Sequence, residues 1–492
     1  MSINFGTDGW RAIISKDFTI DNLKKVSLAI SKLLTYPERK ELDIYKYKSN
    51  NKTSYKVEYR DYTKGVAIGF DNRFMSEYFA KEVAEVLSSQ GIPVYLSSSS
   101  CSTPALSLKV FKDFAAGIMI TASHNPYIYN GVKYKAEYGG SATPQMTKII
   151  EKFLNENSQK ENNKDTPKSL INSSYDFQTE YLESIKQKVD TEKIKNFIEK
   201  NNIFIAIDYM YGTLSNSFKY LINSENLIQL NNYKNPWFDG GSPEPIPQNL
   251  GKLERIVKML GTNAIGFAFD GDGDRIFALN FKQWITPHEI LPLLALHLIR
   301  NKKWDGKLVR TLPTSTKLKR LAHKLAVECL ETPVGFKYIA DLFVKDNILI
   351  GGEESGGIGF KNHIPERDSL LNALYIIEMM CDLNLKPIEI VDFLHSFTGE
   401  SYCYRYDIHF ESFEKQKEIF DKFIENQEKI KNIFNTQSLE LYDYIRIIQD
   451  DKNWIMLRPS GTEPLIRVYA EAESLELAIQ KVNSLVNLLK EI

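Results

Sequence analysis

Gly117-Ile118-Met119-Ile120-Thr121-Ala122-Ser123-His124-Asn125-Pro126 is an apolar run that ends in hydroxyls and then breaks. Ile118 to Ile120 read as the end of a buried strand, and Pro126 cannot extend a ladder. Ser123 therefore belongs to a turn at a strand terminus, held by a sheet and open to a cleft, which suits a nucleophile or a phosphate carrier. Taken alone, the stretch is better read as an ordinary turn in which Ser123 or Asn125 bonds its own backbone, and its company further along the chain changes that. His124 adjoins the serine, but adjacent extended side chains point apart. It is read as shaping the loop or meeting phosphate, and not as the serine's base.

Around this stretch the periodicity predicts strands over residues 65–71 and 92–96 and helices over 20–34 and 79–89. The β-α-β rhythm points to an α/β layer with a parallel or mixed sheet. Residues 129–134 read as a turn and then a strand that carries Lys133, which is either a solvated strand lysine or a cation near Ser123. Upstream, Gly6-Thr7-Asp8-Gly9-Trp10-Arg11 is a glycine-flanked turn. A surface hairpin explains it, yet the planar fork of Arg11 suits a phosphate. Residues 36–64, rich in Lys, Asn, Tyr and Glu without a clear period, read as an exposed insertion with a hairpin around Lys56-Val57-Glu58-Tyr59. Residues 155–174 read as a loop between domains.

A second unit follows, with a helix over 182–198, a strand over 203–208 and a helix over 254–260. The apolar strand over 264–269 runs directly into Asp270-Gly271-Asp272-Gly273-Asp274-Arg275. Three carboxylates at i, i+2 and i+4 can fold around one small hard cation while the glycines supply the turns. An EF-hand loop begins similarly, but its required Gly and Glu positions hold Arg275 and Phe281. The donor set favours Mg²⁺ over Ca²⁺ and leaves room for a phosphoryl oxygen. In a third unit, helices are predicted over 288–298, 317–328, 336–344 and 369–380, the last capped by Asp368. Here Gly351-Gly352-Glu353-Glu354-Ser355-Gly356-Gly357 is either a sugar-binding loop or a plain glycine-rich hairpin. It is neither a dinucleotide fingerprint nor a P-loop. The last unit carries predicted strands over 400–410, 444–448, 454–458 and 465–470, and helices over 413–433 and 475–489. In it Arg458, Ser460, Gly461 and Thr462 form a candidate oxyanion nest, with Arg467 nearby.

Composition narrows the function classes. The 492 residues suit three or four domains. With 62 Lys plus Arg against 63 Asp plus Glu, the net charge of −1 gives no global attraction to nucleic acid or an anionic membrane. Any anionic ligand must be held by local clusters. The four cysteines lack CxxC spacing, which argues against zinc and a disulfide framework. No apolar run is long enough to span a bilayer, so a cytoplasmic location is expected.

Together, Thr-Ala-Ser123-His-Asn-Pro, Asp270-Gly-Asp272-Gly-Asp274-Arg275, Gly352-Glu353-Glu354-Ser355-Gly356-Gly357 and Arg458-Pro-Ser460-Gly-Thr462-Glu-Pro resemble the signature loops of the α-D-phosphohexomutases, in that family's order and near its spacing. The resemblance implies a four-domain, heart-shaped architecture of three related α/β domains plus a C-terminal α+β domain. The expected boundaries are 1–172, 173–283, 284–396 and 397–492. It implies a phosphoglucomutase that interconverts glucose 1-phosphate and glucose 6-phosphate through phosphoserine 123 and a glucose 1,6-bisphosphate intermediate. Mg²⁺ would be held by Asp270, Asp272 and Asp274 and by Ser123 itself. Glu353 and Ser355 would contact the sugar in both of its orientations, and the Arg458 to Thr462 nest would hold the phosphate that is not reacting. Arg11, Lys133, Arg275 and Arg467 would assist. The partner is a small-molecule hexose phosphate; monomer and dimer both stay open.

The form ending in Gly357 resembles glucose-type mutases more than the glucosamine type, which usually shows Gly-Glu-Gln-Ser-Gly-His. No general-base histidine carries over there, and Lys337 is the candidate for part of that role. Asp368-Ser369 and the insertion at 36–64 are further departures. Phosphomannomutase, dual-specificity, phosphopentomutase and amino-sugar mutase activities are the alternatives within the family. A catalytically silent sugar-phosphate binder is the alternative outside it, and the intact serine and aspartate triplet argue against that.

Overall fold

A computed structural model describes residues 3, 5, 9–46, 53–55, 57–156, 170–434, 436, 438–461 and 463–491. The first sheet contains β1 (Trp10–Ile13), β2 (Val66–Phe70), β3 (Val94–Ser97), β4 (Ala116–Ile120), β5 (Tyr129–Ala136) and β6 (Ile171–Tyr175), in the order β1-β5-β4-β2-β3-β6. β2 and β4 are apolar and buried at every position. Helices must therefore cover both faces, as in parallel α/β layers. Leu23, Ile30 and Leu33 of the helix Ile20–Thr35, and Phe79 and Val83 of Ser76–Ser89, join Ile68 and Ile118 in one core cluster.

The second sheet contains β7 (Phe204–Asp208), β8 (Leu227–Leu230), β9 (Ala264–Phe269), β10 (Ile276–Asn280) and β11 (Trp284–Ile285), in the order β11-β10-β9-β7-β8. The third contains β12 (Lys307–Thr311), β13 (Cys329–Thr332), β14 (Ile348–Gly352) and β15 (Ile358–Phe360), in the order β13-β12-β14-β15. The same local device recurs in all three. A buried strand with a parallel neighbour ends, the chain makes a loop, and the next strand returns antiparallel as β4–β5, β9–β10 or β14–β15. Ser123, the aspartate triplet and Glu353 occupy these three loops.

The chain divides into two units, residues 1–311 with 330–391, and residues 312–329 with 392–492. The second unit carries an all-antiparallel sheet of β16 (Tyr402–His409), β17 (Ser438–Leu441), β18 (Ile445–Ile448), β19 (Trp454–Pro459) and β20 (Leu465–Ala472), in the order β16-β20-β19-β18-β17. Phe420 and Phe423 of the helix Phe413–Glu425 and Val482 and Leu485 of Leu475–Glu491 pack on Ile445, Ile455 and Val468. Within this unit Glu471 is fully buried. It accepts from Ser315 Oγ (2.7 Å), Ser401 Oγ (2.6 Å), Trp454 Nε1 (2.7 Å) and the Thr316 N–H (2.8 Å). Burial alone would raise its pKa, but Arg320 and these donors bring it down to about 2.

That depression is a stability contribution with a fixed sign. It is present in full above the ordinary carboxyl pKa and is lost as pH falls from about 4.5 toward 2, and it amounts to about 3 kcal/mol. Glu471→Gln is expected to lower the urea midpoint at pH 7 and to flatten its dependence on pH over that acid window. An unchanged acid limb would remove Glu471 as its source.

Several expectations need correcting. The insertion at 36–64 is exposed at many of its described residues, as expected, but it is anchored by buried ones: Arg39 and Tyr55 are buried, and Arg39 pairs with buried Glu137 at 2.8 Å. Arg60 donates to the carbonyls of Val110 (2.8 Å) and Phe111 (2.8 Å), so its charge is spent on backbone rather than on water. Residues 57–59 form no strand, and Lys56 lies outside the described residues. The expected loop at 155–174 contains β6, and its residues 157–169 lie outside the described residues. The helix expected over 182–198 is two helices, Phe177–Lys186 and Thr191–Lys200, because Asp190 caps the second by accepting from the Lys193 N–H at 2.9 Å. The helix expected over 413–433 likewise breaks at Asn426, and the one expected over 317–328 stops at Lys324 before β13. Among the described residues no helix is long and apolar enough to cross a membrane.

Candidate active site

Within the first unit the three hairpin loops converge. Ser123 Oγ donates to Asp270 Oδ2 at 2.7 Å, joining the first loop to the second. Arg275 bridges Gly357, and the Ile276 N–H donates to the Gly356 carbonyl at 3.1 Å, joining the second loop to the third. Gly356 has φ +95°, and a Cβ there would lie 2.4 Å from the Ile276 carbonyl oxygen, so this approach requires glycine.

Ser123 is buried and has φ +53°, the left-handed region that side chains rarely adopt. Its N–H donates to Thr121 Oγ1 at 2.8 Å. Arg11 reaches the same loop through Nη1 to Asn125 Oδ1 at 2.8 Å. The Nδ1 of His124 is buried without a hydrogen-bond partner. Burial and then the surrounding cations Arg275, Arg11, Lys133 and Arg73 hold the imidazole well below its ordinary pKa. Among the described residues no hydrogen bond joins it to Ser123 as a base.

Asp270, Asp272 and Asp274 are fully buried, with ligand oxygens all within 4.8 Å of one another. Lys133 Nζ lies 2.7 Å from Asp272 Oδ2 and 2.9 Å from Asp274 Oδ2. Asp270 Oδ1 accepts from the Asp274 and Arg275 N–H groups at 2.9 and 3.1 Å. The Oδ1 atoms of Asp272 and Asp274 are buried and have no hydrogen-bond partner. Two orphaned carboxylate oxygens beside a third carboxylate are the donor set of a hard divalent cation, so the residues fit Mg²⁺. Burial, then Asp274 and Asp272, push the Asp270 carboxyl well up. Burial would also raise Asp272, but Lys133 brings it below its ordinary value.

In the third loop Glu353 is buried and Ser355 half-buried. Arg367 lies 2.8 Å from Asp274 Oδ2 and 3.7 Å from Glu353 Oε2. A Cβ at Gly357 would lie 2.3 Å from Arg367 Cδ, so the arginine fills the space a side chain at 357 would take. Lys337 begins the helix Phe336–Lys345 with its Nζ 5.1 Å from the Tyr338 ring centroid, and burial lowers its pKa. No hydrogen bond or ion pair among those described joins it to the aspartates. Asp368 caps the helix Ser369–Leu383 as expected, and also accepts from Tyr181 Oη (2.7 Å) and meets His363 Nε2 (2.6 Å).

In the second unit Arg458 on β19 stands opposite Arg467 on β20. Like charges directly opposed are unfavourable without an anion; Arg467 faces Glu463 Oε2 at 3.8 Å and Asp407 Oδ2 at 4.0 Å, while Arg458 Nη1 and Arg467 Nε are buried with no hydrogen-bond partner. Buried Gln416 fixes the turn by donating to the carbonyls of Leu465 (2.6 Å) and Ser460 (3.0 Å). A Cβ at Gly461 would meet nothing within 4 Å, which leaves the turn open. Thr462 lies outside the described residues, as do Gly6, Thr7 and Asp8.

The sequence reading missed four residues beside these loops. Thr103 starts the helix Thr103–Asp113 and donates through Oγ1 to Asp272 Oδ2 at 2.5 Å. Arg367 precedes a recognised N-cap, yet nothing in its spacing announces the aspartates. Asp71 and Arg73 stand behind the serine loop, where the polar Asp-Asn-Arg after an apolar strand was a usable signal.

The chain matches phosphoglucomutase/phosphomannomutase α/β/α domain I over residues 52–161, domain II over 179–281, domain III over 286–397 and the C-terminal domain over 421–484. It is 30% identical to a phosphoglucomutase/phosphomannomutase of Thermococcus kodakarensis, over 99% of this chain and 98% of that protein. It is 28% identical to a phosphoglucosamine/phosphogalactosamine mutase of Sulfurisphaera tokodaii, with the same coverage of both chains. The crystal structure of parafusin, a phosphoglucomutase from Paramecium, superposes with a TM-score of 0.79 at 21% identity, over 99% of this chain and 94% of that one, and shows the fold alone.

Proposed function

Because the chain belongs to the phosphoglucomutase/phosphomannomutase family, whose members are intramolecular phosphotransferases, we propose that it interconverts glucose 1-phosphate and glucose 6-phosphate, with Ser123 as phosphoryl carrier. The observation that carries this is the left-handed Ser123, its Oγ held 2.7 Å from a buried triplet of aspartates with two orphaned oxygens.

In the forward half, the bond between phosphorus and Ser123 Oγ breaks as the free hydroxyl of the hexose monophosphate bonds to phosphorus, giving the 1,6-bisphosphate. After the sugar turns end for end, its other phosphate returns to Ser123. The proton released by the sugar hydroxyl needs an acceptor, and half-buried Lys337, whose pKa is lowered, is our candidate. Lys133, Arg367 and Arg275 bring positive charge to the loop that must accommodate phosphoryl oxygens. Glu353 and Ser355 offer acceptors to sugar hydroxyls, and within the second unit the Arg458–Arg467 pair is a candidate phosphate-binding element. A divalent cation held by Asp270, Asp272 and Asp274, Mg²⁺ in this reading, supplies neutralisation of phosphoryl charge.

For the sugar, the filling of the space beside Gly357 by Arg367 favours the glucose type, since a histidine there would displace Arg367 from its position beside Asp274. The amino-sugar reading has its own support in relatives named phosphoglucosamine mutases. A panel of glucose, mannose and glucosamine 1-phosphates, assayed with Mg²⁺ and a trace of hexose 1,6-bisphosphate, separates the two. We expect kcat/KM for glucose 1-phosphate to exceed that for glucosamine 1-phosphate by at least about 10-fold. A lead for the amino sugar overturns the assignment.

A further inference from the structure

Ser123 is held from behind by a network whose hub is one buried carboxylate. Asp71, Arg73 and Thr121 are all at most 2% exposed. Asp71 Oδ2 accepts from Thr121 Oγ1 at 2.6 Å and from Arg73 Nε at 3.1 Å. Its Oδ1 accepts from Ser76 Oγ at 2.7 Å and from the Arg73 N–H at 3.0 Å. The two arms of the hub then grip opposite sides of the same residue. Thr121 Oγ1 receives the Ser123 N–H at 2.8 Å, and Arg73 Nη2 donates to the Ser123 carbonyl at 2.6 Å.

Arg73 continues along the loop. Its Nη2 also donates to the Asn125 carbonyl at 2.6 Å, and its Nη1 to the Pro126 and Tyr129 carbonyls at 2.9 and 3.2 Å. Phe238 lies under the guanidinium, 5.0 Å from ring centroid to Cζ. On the far side of the loop, a Cβ at Gly271 would come within 2.8 Å of the Ser123 carbonyl oxygen, so the metal loop abuts the carbonyl that Arg73 holds. Only a planar fork can serve Asp71 and four carbonyls at once; a lysine offers a point charge on a flexible stem.

A side chain in the left-handed region is strained and persists only where its surroundings dictate it. The strain here sets the direction of Oγ toward Asp270. We propose that Arg73 and Thr121, tied together by Asp71, are positioning residues that force Ser123 into the left-handed conformation required for phosphoryl transfer. This rests on the reading of Ser123 as the phosphoryl carrier. Neither residue needs to touch the substrate.

The test compares Arg73→Lys, Thr121→Val and Thr121→Ser in the full-length enzyme, with Ser123→Ala alongside. The readouts are kcat, KM and the rate at which dephosphorylated enzyme takes phosphoryl from glucose 1,6-bisphosphate. A misplacement of about 1 Å costs on the order of 100-fold in rate. Arg73→Lys and Thr121→Val are therefore expected to lose about 100-fold in kcat and in phosphoryl uptake, with KM within about threefold of wild type, and Thr121→Ser to restore both rates to within about threefold. Arg73→Lys with kcat within about threefold of wild type, or Thr121→Ser as impaired as Thr121→Val, overturns the proposal. If Arg73→Lys does not fold, the Thr121 pair decides. Turnover by Ser123→Ala would instead refute the phosphoserine reading, whatever the other variants do.

Discussion

Ser123→Ala is expected to leave the protein folded and to lower mutase kcat by at least about 10⁴-fold. The size of the loss follows from the role. A residue that only bound substrate would raise KM and spare part of the rate, whereas a covalent carrier has no substitute in either half-reaction. That the fold survives follows from the contacts. The Ser123 side chain makes one hydrogen bond, to Asp270, while the backbone conformation is held through its N–H and carbonyl by Thr121 and Arg73. The measurements are turnover of glucose 1-phosphate, intact mass for the serine phosphate, and a thermal melt. Phosphate that persists on the Ala variant, or turnover within about tenfold of wild type, would place the carrier elsewhere.

What the sequence could and could not show divides along a physical line. Elements with a single unbroken period or a uniform apolar run, such as β4, β9 and the helix Ile20–Thr35, read correctly because burial on a strand or a helix face is a local pattern. The aspartate triplet was legible for the same reason, as its chemistry lies within five consecutive residues. The exposure of much of the insertion at 36–64 was legible from its polar composition, but the burial of its Arg39 was not. Arg39 is neutralised by Glu137, which is 98 positions away, and Arg60 by carbonyls of another helix. Partners at that distance leave no periodic trace. Arg367 was invisible on the same grounds, since its contact to Asp274 exists only once two sheets are formed. The helix breaks at Asp190 and Asn426 were local and could have been found from the capping chemistry of Asp and Asn.

Lys133 makes the strongest stability prediction. Its Nζ is buried between Asp272 and Asp274, so it offsets the charge of three carboxylates that burial disfavours. Lys133→Met keeps most of the stem volume and removes the charge, which is the costly way to break a buried pair. In metal-free buffer at pH 7 the unfolding free energy is expected to fall by about 3–5 kcal/mol. The pH dependence has a definite sign. In the wild type Asp272 titrates below its ordinary value, so its contribution is present above the ordinary carboxyl pKa and is lost as pH falls below it. Without Lys133 the largest influence holding Asp272 down is removed, so its carboxyl is expected to titrate higher than in the wild type, and the penalty at neutral pH is relieved by protonation on the way down. The gap between variant and wild type should therefore narrow as pH falls. Mg²⁺ should narrow it too, because the variant, lacking the Lys133 cation among its carboxylates, gains more from a bound cation than the wild type does. Urea midpoints at pH 7 and pH 4, with and without Mg²⁺, test both statements. Midpoints that Mg²⁺ moves in neither protein would mean that the Asp272 and Asp274 oxygens serve something other than a metal.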